Sequence, residues 1–161
     1  MIPADIPAVD AIAAAIHAAL PEHAFVFAER QRLYPEGCFM LEVDGGAAGY
    51  VISHPWHYLR PPSLNVLIER IPEDASTYYI HDLALLPSAR RTGAGSAIAD
   101  TLLRHAAAAG LPNASLIAVY DAAPFWRSHG FGFVDDPVLA KKLAGYGAEA
   151  RMMMRPLKGN P

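Results

Sequence analysis

The chain has 161 residues, 53% hydrophobic and 18% charged, with a formal net charge of −3. That size and apolar content fit one domain with a real core, residues 1–161, and exclude a disordered or low-complexity chain. The mild negative charge excludes a general attraction to nucleic acid, and a single cysteine, Cys38, excludes an internal disulfide and fits a reducing compartment.

Asp5 can cap a first helix, with Pro7 tolerated in its first turn. Val9, Ile12, Ile16 and Leu20 recur at helical spacing, which predicts one buried face, and Pro21 ends the pattern. The alanine-rich start resembles a signal peptide in composition. It carries Asp5 and Asp10 and no Lys or Arg, so the positive n-region is missing. No apolar run is long enough to span a bilayer, and a cytoplasmic protein is expected. Ala24 to Leu33 reads as a second helix, stopped by Tyr34-Pro35-Glu36-Gly37.

The period then changes. Cys38 to Val43 and Ala47 to Ser53 are strand-like, with Asp44-Gly45-Gly46 as a hairpin turn between them. His54 to Pro62 reads as a proline-broken loop, and Leu64 to Ile71 is ambiguous. Thr77 to Leu86 reads as a central strand, Gly93 to Ala109 as a helix, and Ser115 to Tyr120 as another strand. Ala122 to Ser128 is a short helix ending at His129-Gly130. Phe131 to Val134 and Ala148 to Arg155 suit a terminal hairpin, with Asp135 to Gly147 connecting them. This order predicts an α/β fold with a mixed, mostly antiparallel twisted sheet and helices on both faces.

The densest chemistry lies at Leu85-Leu86-Pro87-Ser88-Ala89-Arg90-Arg91-Thr92-Gly93-Ala94-Gly95-Ser96. A strand, a basic turn, two glycines and a helix start meet there. Bare backbone N–H groups, a helix N-terminus and two guanidinium groups at one point suit a pyrophosphate. The P-loop pattern fails because Ser96-Ala97 follow Gly95. The dinucleotide fingerprint fails because Ile98 stands where its third small residue belongs. The plainer reading of the same residues is a glycine-rich turn that starts a packed helix.

Arg90-x-x-Gly93-x-Gly95 resembles the coenzyme A pyrophosphate loop of the GNAT N-acetyltransferase superfamily. Ala122-Ala123-Pro124-Phe125-Trp126-Arg127-Ser128-His129-Gly130-Phe131 resembles that family's second signature. The resemblance covers residues 77–134 well and the first 76 in element order only. His81-Asp82-Leu83-Ala84-Leu85 is similar to the corresponding strand of arylalkylamine N-acetyltransferases, with Tyr79 where those enzymes carry a second histidine.

The resemblance implies acyl transfer from acetyl-CoA directly to the primary amine of a small molecule. It implies that the backbone of Leu83, Ala84 and Leu85 bonds pantetheine like a missing strand. Arg90 through Ser96 would then hold the diphosphate, beside Phe125 and Trp126. His81 becomes the candidate base, since imidazole titrates near neutrality; its plainer reading is a histidine held in the sheet by hydrogen bonds. Many relatives place a thiolate-protonating tyrosine where this chain has Trp126. An indole N–H cannot serve as that acid, so Tyr120 is the candidate substitute, and an ordinary half-buried aromatic is its plainer reading.

Asp82 is expected on the face opposite His81, by strand alternation, as a carboxylate for an ammonium group or a solvated charge. His54, Trp56 and His57 are loop candidates for the amine pocket. Two histidines on a loop are too few for a metal, and no metal site is expected. Cys38 reads as a core thiol and Met152-Met153-Met154 as edge-strand packing. Apolar sheet-edge residues can support a homodimer. A non-catalytic acyl-CoA-binding sensor is the alternative that Trp126 favours.

Overall fold

The computed structural model describes residues 1–157. Two helices come first, α1 (Ile6–Ile16) and α2 (Ala24–Leu33). The hairpin of β1 (Cys38–Val43) and β2 (Gly46–Trp56) follows, and then β3 (Thr77–Leu85). Next come α3 (Ala94–Ala108), β4 (Asn113–Ala118), α4 (Ala123–Ser128), β5 (Gly132–Phe133), α5 (Pro137–Leu143) and β6 (Arg151–Pro156). The strands form one six-stranded sheet in the order β1-β2-β3-β4-β6-β5. Only β3 and β4 run parallel, joined by the α3 crossover. The expected mixed, mostly antiparallel sheet is what forms.

Each face carries its own core. On one side Val9, Ile12 and Ala13 of α1 and Phe27 of α2 meet Tyr50, Ile52 and Ala84 of the sheet. On the other, Ala99, Leu102, Leu103 and Ala106 of α3 recur at helical spacing and cover Val51, Tyr78, Ile80 and Leu116. Burying a leucine such as Leu102, with 0% exposed, is worth about 1.5–3 kcal/mol.

Several local expectations need correction. Asp5 precedes α1 without a side-chain cap, because its carboxylate accepts from the Ile2 amide at 2.7 Å instead. α1 stops at Ile16, so Leu20 lies outside it. His54, Pro55 and Trp56 belong to β2 and not to a loop. β1 pairs with β2 no further than Cys38↔Ile52, so Pro55 sits where β2 has an open edge and its missing N–H costs nothing. β6 lies between β4 and β5, so Met152 and Met153 fill an interior strand and not an edge.

Two features of β3 shape the site. It pairs with β4 only over Tyr78–Ile80, against Ala114–Leu116, and beyond that the two strands splay apart. Across β2 the register jumps from Ser53↔Ile80 to Ile52↔Asp82, leaving His81 as one extra, bulged residue.

Candidate active site

The splay opens a cleft of about 560 Å³, walled by Leu83 and Leu85 on one side and Ile117 to Tyr120 on the other. One end meets the turn into α3. Gly93 there has φ +87°, a left-handed conformation that side chains resist. A Cβ on Gly95 would stand 3.3 Å from the Phe125 ring, so its absence lets α3 start close against α4. No oxygen among the described residues accepts from the amides of Arg91, Thr92, Gly93, Gly95 and Ser96. The Ala94 amide reaches Thr92 Oγ1 at 3.3 Å, and Thr92 in turn donates to the Ala89 carbonyl at 2.8 Å. Five open N–H groups at a helix N-terminus beside exposed Arg90 and Arg91 make a cradle whose chemistry suits a diphosphate.

Along β3 the ladder sorts the backbone groups. The Leu86 amide bonds the Ala48 carbonyl at 2.8 Å. Alternation then turns Ala84 toward Tyr50 of β2, and Leu83 and Leu85 into the splay. Ala84, 1% exposed, is therefore corrected as a backbone partner for a ligand. The Leu85 carbonyl already accepts from Arg90 Nε at 3.1 Å. Phe125 and Trp126 line the cleft with their rings 4.9 Å apart, and Trp126 is 5% exposed.

At the other end the bulge overturns the expectation for Asp82. The extra residue cancels one step of alternation, so His81 and Asp82 both point to the α1–α2 side. There each meets a partner from the first helices. His81 Nε2 lies 2.8 Å from Glu22 Oε2, with side chains 2% and 6% exposed. His17 Nε2 lies 2.8 Å from Asp82 Oδ1, and the Tyr50 hydroxyl donates to the other carboxylate oxygen. Burial opposes charge on His17, but Asp82 and then Glu22 outweigh it and hold the imidazole above its ordinary value. Burial likewise raises the Glu22 carboxyl, yet the His81 ring and the Asn65 amide bring it below the usual range. Burial, with Asp82 adding to it, drives the Tyr50 phenol far up, so it stays a donor.

Tyr120 stands at the mouth in a left-handed conformation, φ 52° and 48% exposed, its ring stacked on His17 at 5.9 Å. His54 and Trp56 do not line the cleft. His54 is fully buried beneath His81, their rings 6.4 Å apart. Burial pushes its imidazole down to about 3, although the Pro55 carbonyl opposes this. Trp56 donates to the Arg60 carbonyl at 2.7 Å. Among the described residues no cluster of three or more metal-ligating side chains forms, and no helix is long and apolar enough to cross a membrane.

His17 and Glu22 carry no sequence motif; only the fold brings them to β3. A hint exists in the polar residues that follow an otherwise apolar helix face. The segment between β2 and β3 is fastened over them. Glu29 accepts from the amides of Ile68 and Glu69 at 2.8 Å each, and buried Arg30 donates to the Val66 carbonyl at 2.9 Å.

A parallel strand pair that parts over a glycine-rich helix start frames this site, and comparison with known proteins identifies the family. The sequence matches the Acetyltransferase (GNAT) family over residues 9–131, and the chain belongs to that family. It is similar in fold to the ribosomal-protein-S18-alanine N-acetyltransferase from Escherichia coli, at 19% identity and TM-score 0.67, covering 100% of this chain and 93% of that one. It is also similar to Rv2747 from Mycobacterium tuberculosis in complex with CoA and NLQ, at 16% identity and TM-score 0.70, covering 98% and 96%. A third likeness is GphF, a GNAT-like decarboxylase in complex with isobutyryl-CoA, at 20% identity and TM-score 0.72, covering 98% and 97%. No curated protein matches the chain by sequence. Acetyl-CoA is the co-substrate that the family membership brings.

Proposed function

We propose that residues 1–161 form one N-acetyltransferase domain that moves an acetyl group directly to the primary amine of a small molecule. One observation carries this reading: a single cleft runs from Arg90 and Gly95 at the α3 start, where the turn leaves its amides open, to two imidazole–carboxylate pairs at the β3 bulge. Arg90 through Ser96 would hold the diphosphate, with Leu83 and Leu85 backbone groups and the Phe125 and Trp126 rings along the pantetheine. The bound coenzyme supplies an acetyl group activated as a thioester.

The acceptor enters from the α1–α2 side. Its ammonium must lose a proton before the nitrogen can form the new N–C bond, and imidazole at His81 or His17 is the base type for that step. The C–S bond breaks to release a thiolate that needs a proton, and Tyr120, exposed on the cleft wall, is the candidate to give one. Cys38 is 2% exposed, and burial pushes its thiol up to about 11, so direct transfer is favoured over an acyl-enzyme.

Isothermal titration with acetyl-CoA, beside a coenzyme-release assay over small amines and N-terminal peptides, tests the proposal. Turnover on a small amine is expected. Binding without turnover on any acceptor would instead support the acyl-CoA-binding sensor, the reading that Trp126 favours. Turnover on peptides alone would move the acceptor class to proteins.

A further inference from the structure

Two imidazoles face one acceptor site, and their surroundings differ in a way that separates their roles. The His81 ring has no reachable nitrogen. Its Nε2 is spent on Glu22, and its Nδ1 is buried without a partner among the described residues. Its side chain is only 2% exposed. His17 differs. Its Nε2 is the buried nitrogen, 2.8 Å from Asp82 Oδ1 in an ion-pair contact that lies off the line of a hydrogen bond, and its side chain is 15% exposed along the cleft wall. Nδ1 is therefore the nitrogen that a ligand can meet. The ring's flat face is stacked on exposed Tyr120, which fixes its plane at the mouth of the splay.

We infer that His17, oriented by Asp82, is the base that takes the proton from the acceptor ammonium, and that His81 with Glu22 is a positioning pair. This rests on the acetyltransferase reading above. The proton leaves the ammonium nitrogen for Nδ1 of neutral His17, so an R–NH3⁺ group becomes R–NH2 and the ring becomes an imidazolium. The Nε2 proton stays on the Asp82 side, where the carboxylate faces the new charge. Tyr50 holds the second carboxylate oxygen. The imidazolium then returns its proton to solvent, and no further reactant is needed. His81 instead ties β3 to Glu22, whose other oxygen accepts from the Asn65 amide at 2.8 Å. That pair fixes the segment that closes the acceptor side.

The titratable groups around His17 come from several elements. Asp82 and His81 stand on β3, Glu22 on the α1–α2 connection, Tyr120 and Asp121 after β4, and Tyr50 on β2 behind Asp82, with Asp10 of α1 near Tyr50. Arg90 lies farther along the same cleft. Burial is the largest single influence and opposes charge on the ring, but Asp82 and Glu22 together outweigh it and favour the charged form.

The test uses the full chain and the best amine from the panel, with rate followed against pH for the unaltered protein, His17→Gln, Asp82→Asn and His81→Gln. His17→Gln should lower kcat by about 100-fold near neutrality and abolish the acidic limb of the profile, with the affinity for acetyl-CoA unchanged by titration. Imidazole added to His17→Ala should restore part of the rate. A second readout needs no turnover. Nitrogen-15 spectra of the histidines should show one ring titrating above the ordinary imidazole value, missing in His17→Gln and moved down in Asp82→Asn. Should His17→Gln fail to fold by circular dichroism, Asp82→Asn decides: it should shift the acidic limb to lower pH. The inference is overturned if His17→Gln keeps its rate within about threefold with the limb in place, if the limb leaves with His81→Gln, or if Asp82→Asn leaves both the limb and the His17 titration where they were. Absence of turnover by the unaltered chain on every acceptor would sink the acetyltransferase reading itself and the base with it. Turnover indifferent to His17 sinks only the base.

Discussion

The two ends of the cleft are built on opposite plans. At the end proposed for the coenzyme, the turn is one continuous stretch, Arg90 to Ser96, whose groups are backbone amides and two adjacent side chains. At the acceptor end, His17, Glu22, His81 and Asp82 come from three places in the chain and meet only after both helices pack on the sheet. A site made of local backbone geometry survives large sequence change. A site made of long-range ion pairs depends on the packing that brings the partners together, and it is free to change its acceptor. This fits a family whose members share a fold at below 25% identity.

The largest expected effect falls on the acceptor end. Arg30→Ala leaves the Glu29 carboxylate buried without its partner, 2.5 Å from the lost guanidinium nitrogen. It should cost about 3–5 kcal/mol in denaturant unfolding. If acetyl-CoA affinity measured below the new Tm falls as well, the two ends are not independent and the comparison fails.

The next effect tests the coenzyme end. Arg90→Ala with Gly93→Asp puts a side chain at φ +87° and a negative charge in the cradle. Affinity for acetyl-CoA should drop about 100-fold, roughly 2.7 kcal/mol, by titration calorimetry. Unchanged binding would remove the diphosphate from this turn.

Tyr120→Phe removes only the hydroxyl at the mouth. A loss of roughly tenfold in kcat, with acetyl-CoA affinity intact, is expected of a general acid. A rise in KM for the amine with kcat unchanged would make Tyr120 a binding surface instead.

The last effect leaves the chemistry untouched and concerns the stability of the buried neighbour beneath the pairs. Folded His54 stays neutral down to about 3, whereas the unfolded chain protonates it near the ordinary imidazole value. The unfolded state thus binds more protons between those limits. Stability should fall there by up to about 1.4 kcal/mol per pH unit as pH is lowered. His54→Leu should move the acid-unfolding midpoint, followed by circular dichroism, to lower pH. A midpoint that stays put would place the acid sensitivity elsewhere, with Glu22 the next group to replace.

Much of the fold was legible in residue order. The hairpin at Asp44-Gly45, the apolar run of β3 and the Ala-rich face of α3 are short-range signals, and the sheet follows from them. The cradle was legible for the same reason, since Gly93 and Gly95 state their backbone needs locally. Strand alternation failed at His81 because a bulge is a property of the β2–β3 pair and leaves no mark on β3 alone. Pro55 misled because a proline is a breaker only where its N–H is needed, and the open edge of β2 depends on where β1 stops. His17 and Glu22 went unread because nothing within ten residues of either points to β3.

Residue order by itself determined the glycine turn before α3, the crossover and the helical and extended segments, because each rests on conformational preferences that act over a few residues. The tertiary structure alone decided which face Asp82 takes, that His54 is buried beneath His81, and that His17 reaches the β3 wall. Those outcomes depend on strand register and on helix docking, and both are settled between elements, by shared cores and paired charges, after the local choices are made.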